Sequence, residues 1–332
     1  MIRYIYILVV LAVLAGCSSQ PEDSPYQEIL DKPPFLALTD SIRAEPGRHE
    51  LYFRRAVLLN SNDFPEPALA DFKKAWSLQK EERYAFGVST ILLQKHPDSA
   101  LVFLGQARQE LPESVLLGLS LARAFAARNK PAEALEVCEE LLKKNPGQVD
   151  VLKLKASILD SGGRAGEAIA ILEQAYSITP FDVELNYILA LKYAEGKDSR
   201  VIRLCDSLIR ADSLGMHAEP YYYKGIYFSN INNKAKALEL FNESIRRDYY
   251  FLDAHIEKGI ILYDQKKFAQ AYDAFNLAMT ISPKYADAYY WMAKSQEALG
   301  QHSEAALNYQ RAFGLDNTLI EAKEGADRLR HK

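Results

Sequence analysis

The side chains of this 332-residue chain best suited to chemistry are three cysteines and six histidines. A thiolate can attack or ligate, and an imidazole can carry a proton or hold a metal. Either task needs partners at fixed spacing. His49, His96, His217, His255, His302 and His331 are scattered singly, and His49-Glu50 lacks the second histidine of an HExxH zinc site. There is no CxxC pair, no glycine-rich phosphate loop and no GxSxG elbow. The sequence therefore predicts no catalytic residues, no metal site and no cofactor. Cys17 stands apart from Cys138 and Cys205, because it closes an apolar N-terminal run.

The elements that would position any site are themselves periodic. Alanine recurs at Ala68, Ala100, Ala134, Ala168, Ala237, Ala271 and Ala305, mostly 34 residues apart, with one gap of 32 and one spanning two periods. A fixed period of this size denotes a stack of like supersecondary units and moves the functional question from catalysis toward binding. In Leu252 to Tyr285, one helical face holds His255, Gly259 and Leu262, and a second holds Ala271, Phe275 and Ala278. Gln265-Lys266-Lys267 is a polar turn between them, and Pro283 stops the second helix. Gly259 and Ala271 are small where two helices must approach closely, and Phe275 fills the space one turn on. Ser161-Gly162-Gly163-Arg164 occupies the same turn in an earlier unit, where φ > 0 is the natural need.

These residues resemble the tetratricopeptide repeat (TPR) family, which has small residues at repeat positions 8, 20 and 27, a large one at 24 and proline at 32. Position 8 is Ala56, Val88, Ala122, Ala156, Ala190, Gly225, Gly259 and Ala293. Position 24 is Phe72, Leu104, Cys138, Leu172, Phe241, Phe275 and Tyr309, and prolines such as Pro112, Pro146 and Pro180 stand at 32. The resemblance covers residues 49–319 as eight repeats: 49–80, 81–114, 115–148, 149–182, 183–217, 218–251, 252–285 and 286–319. It implies an all-α fold, a right-handed TPR superhelix or α-solenoid of helix-turn-helix units.

Repeat 183–217 has no alanine at position 20. Its second helix fits best as Val201, Cys205 and Leu208, one residue early. That predicts a shortened turn at Gly196–Ser199 and a longer loop at Asp212–His217. Pro65, Pro67 and Pro97 fall near second-helix starts, where a first turn tolerates them. Residues 35–46 read as an N-terminal capping helix and 320–332 as a C-terminal one. Polar outer faces suit the ends of a stack, so the array is expected to end there. Cys138 and Cys205, two repeats apart, should exceed the ~7 Å limit for a disulfide and read as small apolar core residues.

Residues 1–16 read as a targeting segment. Arg3 is the positive flank, and Ile5 to Leu14 is an apolar run too short to span a bilayer comfortably. Leu14-Ala15-Gly16-Cys17 is similar to the bacterial lipobox, which implies cleavage before Cys17 and acylation of its sulfur. The alternative is an ordinary signal peptide with an incidental cysteine. Residues 17–34 are expected to be a lipidated flexible tether. Ser18, where aspartate would signal inner-membrane retention, favours the outer membrane, with the periplasmic face preferred. The Glu22-Asp23 pair leaves surface exposure open.

In TPR folds, positions 2, 5, 9 and 12 of the first helix line a concave face. By that resemblance a partner groove would hold Tyr187, Tyr222, Ile226, Ile256, Ile260, Tyr263, Tyr290 and Lys294, with Tyr223 and Trp291 at position 6. Tyrosine and tryptophan anchor interfaces well, yet rings at helical spacing also serve as packing, and both readings stand at this point. Acids recur at position 2, from Glu50 to Asp287; they suit either a basic ligand or a helix's first turn. Net charge is −4, and Lys143-Lys144 and Arg246-Arg247 are isolated pairs, so no nucleic acid is expected as partner. The expectation is a non-catalytic, lipid-anchored adaptor of the cell envelope that binds other envelope proteins. Its only hold on the membrane would be the lipid. A glycan-binding or self-assembling protein is the alternative.

Overall fold

The computed structural model describes residues 25–330, which form nineteen α-helices and, among the described residues, no strand. Cys17 and the targeting segment lie outside the described residues, as does His331. After α1 (Gln27–Leu30) and α2 (Leu36–Ala44), the helices follow in sequential pairs. These are α3 (His49–Ser61) and α4 (Pro65–Leu78), α5 (Glu82–Lys95) and α6 (Pro97–Glu110), and α7 (Val115–Ala127) and α8 (Pro131–Lys144). Next come α9 (Val149–Ser161) and α10 (Ala165–Ile178), then α11 (Val183–Glu195) and α12 (Arg200–Ala211). The last pairs are α13 (Glu219–Asn230) and α14 (Lys234–Arg247), α15 (Leu252–Asp264) and α16 (Phe268–Ile281), and α17 (Ala286–Ala298) and α18 (His302–Leu315), before α19 (Ile320–Leu329). The described residues fall into two compact units, one up to Ala124 and one from Phe125 onward, divided within α7.

Ring size and backbone proximity are matched in both units. A Cβ built on Gly259 would lie 2.4 Å from the Phe275 ring, and one on Gly225 would lie 2.4 Å from Phe241. Phe72 meets Gly87 in the same way at 2.6 Å, and Tyr309 meets Gly325 at 2.8 Å. These separations are below van der Waals contact, so each aromatic ring at position 24 lies against bare glycine backbone. The alanines of the period, including Ala168, Ala237, Ala271 and Ala305, are fully buried beside them.

Seven of the eight first helices are followed, two residues past their ends, by a residue with positive φ: Asp63, Asn129, Gly163, Lys197, Asn232, Lys266 and Gly300. The following N–H then bonds back five residues, as Lys267 does to the Leu262 carbonyl at 2.9 Å. This left-handed closure satisfies helix-end carbonyls and turns the chain into the second helix. Repeat 81–114 lacks it. There the single residue His96 joins α5 to α6, which accounts for the 32-residue gap between Ala68 and Ala100.

Two expectations need correction. The turn at Gly196–Ser199 is not shortened: Lys197 has φ 56°, and Asp198 N–H reaches the Tyr193 carbonyl at 2.7 Å, as in the other repeats. The missing residue comes out of the first turn of α12 instead. Val201 N–H bonds to Asp198 O and Ile202 N–H to Ser199 O, both three residues back, a tighter 3₁₀ winding that brings Val201 and Cys205 inward early. The longer loop at 212–218 is present, seven residues against four at 248–251. Second, the expected tether 17–34 is packed in its last part. Gln27–Leu30 forms one helical turn, and Leu30 is buried with Phe35 in the core of the first unit. Thr39 Oγ1 donates to Leu30 O at 2.8 Å and accepts from Arg55 Nη1 at 3.0 Å. Arg55 in turn grips Asp71 through two bonds of 2.6 and 2.8 Å. Paired and hydrogen-bonded in this way, the buried charges are tolerated.

Two outcomes test this packing. Gly259→Ala should destabilise the chain by about 1–3 kcal/mol through overpacking, and Phe275→Leu in the same chain should restore part of the loss. An unchanged urea midpoint would show that ring and backbone are not in close contact. His255 is buried, its Nε2 lies 2.9 Å from the Tyr249 carbonyl, and burial pushes its pKa down. The unfolded imidazole titrates near ~6.5. Above that value the contribution of the neutral ring is complete. Below it the unfolded chain takes up the proton first, and stability falls. Between pH 7 and pH 5, His255→Gln should therefore lose less stability than the native chain, as read from paired urea titrations.

Candidate functional site

The first helices place the expected groove residues in two aromatic clusters. In the first, the Tyr187 ring on α11 meets Tyr223 on α13 at 5.8 Å, and Tyr223 meets Tyr222 at 5.7 Å. Tyr222 packs on Phe241 at 5.9 Å and Phe251 at 5.1 Å. The Tyr187 hydroxyl lies 2.9 Å from His217 Nδ1. In the second cluster, Tyr263 on α15 meets Trp291 on α17 at 5.7 Å, and Trp291 stacks on Phe275 at 5.8 Å and 19°. Tyr290 touches Trp291 at 5.6 Å and Tyr309 at 5.9 Å. These spacings suit edge-to-face and offset contacts, so each ring is held in place before any partner arrives.

The Lys294 ammonium sits over three of these rings, 4.4 Å from Trp291, 5.3 Å from Tyr263 and 5.5 Å from Tyr290. Such a cation above ring faces is worth ~0.5–1 kcal/mol when exposed. Ile256 departs from the expected face: it is buried, packed with Phe275 and Met292 in the core. Position 5 of that repeat points between helices. Ile226 and Ile260 are partly buried against neighbouring cores.

Burial governs the electrostatics of this face. It pushes the Tyr222 hydroxyl well above the usual phenol range, with Glu257 and Asp253 adding to the effect. It pushes Tyr223 up to about 12. All these phenols stay neutral near pH 7 and keep a donor hydrogen. Glu257 was not singled out in the sequence, and burial raises its carboxyl too. Its signal was available, because it stands at position 6, as do Tyr223 and Trp291.

The position-2 acids do structural work. Glu50 pairs with Arg83 at 2.7 Å, Glu82 accepts from Ser114, Glu184 pairs with Lys153, and Asp253 accepts from the Tyr285 hydroxyl at 2.9 Å. The bonds of Glu50 and Glu184 join one repeat to another, and those of Glu82 and Asp253 tie the start of a repeat to its last residue. All four acids also lie in the first turn of their helices, where they complement the helix dipole.

Cys138 and Cys205 are free and buried, and burial raises their thiols to about 11 and about 12. Both are therefore unreactive core thiols. In the native chain from residue 18 onward, a disulfide reagent should modify neither cysteine, and both should react after denaturation. Rapid labelling of the folded protein would contradict this packing.

Models of the tetratricopeptide repeat family match residues 92–158, 222–286 and 287–313. The uncharacterized protein y4yS of Sinorhizobium fredii is 34% identical over 90 residues, which is 27% of this chain and 50% of y4yS. The regulatory protein RapC of Bacillus subtilis is 32% identical over 97 residues, 29% of this chain and 25% of RapC. The chain thus matches half or less of the length of these relatives. A tetratricopeptide repeat protein of known structure from Parabacteroides merdae is 14% identical, with a TM-score of 0.55, over 85% of this chain and 98% of that one. This last likeness is one of fold. With the all-helical pairs, the glycine–ring contacts and the three matched segments in agreement, the chain is a tetratricopeptide repeat protein.

Proposed function

We propose that this protein is a non-catalytic adaptor of the bacterial cell envelope, anchored by lipid at Cys17, that holds partner proteins on the exposed face of its first helices. The observation that carries the reading is the pair of half-buried aromatic clusters, Tyr187–Tyr223–Tyr222 and Tyr263–Trp291–Tyr290. Rings already fixed by intramolecular contacts offer contact area at little further cost in entropy. The Lys294 ammonium adds a charge that a partner's carboxylate or carbonyl can meet. Anchoring would raise the local concentration of anything captured near the membrane. The outer membrane is the favoured site, by the residue after Cys17. Nucleic acid is not among the partners proposed, since the lysines and arginines form no stripe.

Glycan binding is the second reading, with Tyr222, Tyr290 and Trp291 as stacking platforms. Trp291 weakens it, because that ring is stacked on Phe275 and carries Lys294 above it, which leaves little face for a sugar.

Photo-crosslinkers at Tyr187 and Lys294, with Lys236 as a control, should give discrete protein adducts in intact cells from the first two sites only. Adducts from Lys236 alone, or none, would remove the partner face. Cys17→Ala should abolish incorporation of a labelled fatty acid into the chain in growing cells. Unchanged incorporation would remove the anchor.

A further inference from the structure

Three successive loops of the second unit hold large apolar side chains in water. Phe181 is 92% exposed, Leu214 80%, Met216 69% and Tyr250 72%. They lie in the loops 179–182, 212–218 and 248–251, each of which leads from the second helix of one repeat to the first helix of the next. The middle loop is tied to both neighbours. On one side His217 meets the Tyr187 hydroxyl of α11. On the other, Arg247 at the end of α14 donates to Gly215 O at 2.6 Å, and its guanidinium lies 4.3 Å from the Tyr221 ring centre. One strip therefore runs across the three loops, on the order of 20 Å long at the ~8–10 Å spacing of packed helices.

The display is fixed by the backbone. The Asp212 carboxylate accepts the His217 N–H at 2.8 Å, and the N–H groups of Met216 and Gly215 also help to hold it below the usual carboxylate range. Gly215 has φ 64°, the left-handed turn this loop needs. Asp182 and Asp248 likewise accept from the N–H groups of Leu185 and Tyr250, at 3.1 and 2.9 Å. The acids of the strip are thus occupied by its own backbone, and the apolar side chains are what it presents outward.

We infer that this strip is a membrane-contact edge, which places Phe181, Leu214, Met216 and Tyr250 in the interface of a lipid bilayer. Side chains that protrude singly from loop tips offer a protein partner neither a pocket nor a flat area. They suit the boundary between headgroups and acyl chains, where tyrosine in particular sits with its ring apolar and its hydroxyl wet. The choice of lipid over protein rests on the anchored reading proposed above. From Cys17 to Pro25 is eight residues, at most about 29 Å of extended chain, so an acylated Cys17 would keep the packed chain within reach of a bilayer.

The test uses the chain from residue 18 onward, which bears no lipid and keeps every described residue. It should co-sediment with vesicles of phosphatidylcholine and phosphatidylethanolamine at physiological salt. The variant F181S/L214S/M216S/Y250S should lose at least tenfold in partitioning, with an unchanged thermal transition. An environment-sensitive dye on Leu214→Cys should shift to the blue with vesicles, and the same dye on Lys236→Cys should not. Absence of partitioning, or equal partitioning by the variant, overturns the inference. So does a concentration-dependent rise in mass without vesicles that the four serines abolish, which would assign the strip to a second copy of this chain. Each of these failures leaves the loss of fatty-acid incorporation expected of Cys17→Ala unaffected, so the two readings fail separately.

Discussion

The contact on which the rest of the structure depends is an aromatic ring pressed on glycine backbone. Phe72, Phe241, Phe275 and Tyr309 each meet a glycine so closely that a single added carbon would lie 2.4–2.8 Å from the ring. Protein interiors are packed to crystal density, so this approach sets the distance between helices with little tolerance. The glycine need not come from the ring's own repeat. Gly225 and Gly259 precede their rings, whereas Gly87 and Gly325 belong to the helix that follows. The same device therefore fastens helices within a repeat and one repeat to the next.

With that distance fixed, the connections have few solutions. Seven first helices close through a left-handed residue and a bond five residues back, and three of the seven positive-φ positions are asparagine or aspartate, which tolerate that region better than most residues. Regular helix spacing then brings rings on consecutive first helices into edge contact, which is why Tyr187 reaches Tyr223 and Tyr263 reaches Trp291. Repeat 183–217 closes in the same way but winds the start of its second helix more tightly. Cys205 occupies the ring's place, fully buried beside Ala190 and Val201. A small side chain alone does not move the face, since Cys138 holds position 24 in regular register; in repeat 183–217 the first turn of α12 tightens and the face arrives one residue early.

The fold was legible because the small and large positions recur in one register over eight repeats, and each such position reports a face. Less legible was everything that depends on hydrogen-bond register. Val201 and Cys205 revealed an early face, but no pattern of residue types separates a shorter turn from a tighter helix start. Ile256 has the same spacing as Tyr222 and Tyr290, yet it lies in the core, because an aliphatic side chain fits between helices where a longer ring must emerge. The N-terminal boundary was missed for a related reason. Leu30 is one apolar residue among many polar ones, and its carbonyl is met by Thr39 of α2, which Arg55 of α3 holds in turn. The position of Lys294 over three rings likewise needs side-chain geometry that spacing alone does not carry.

The repeat also shows where function has room to reside. Positions 8, 20 and 24 are committed to packing, and first-turn acids such as Glu50, Glu82, Glu184 and Asp253 are spent on bonds within and between repeats and on helix dipoles. Two regions escape these duties: the outward side of the first helices and the loops that join repeats. A side chain as exposed as Phe181 contributes almost nothing to the packing of its own chain, while exposed apolar surface carries a cost in solubility. The neighbouring loop is held rigidly by Asp212 and Arg247, so Leu214 and Met216 cannot fold back to hide themselves. A surface that is both apolar and prevented from collapsing is accounted for by a contact outside the chain, and the half-buried rings of the first helices call for a contact of a different kind. The two regions lie on different parts of the same repeats, so occupying one need not exclude the other.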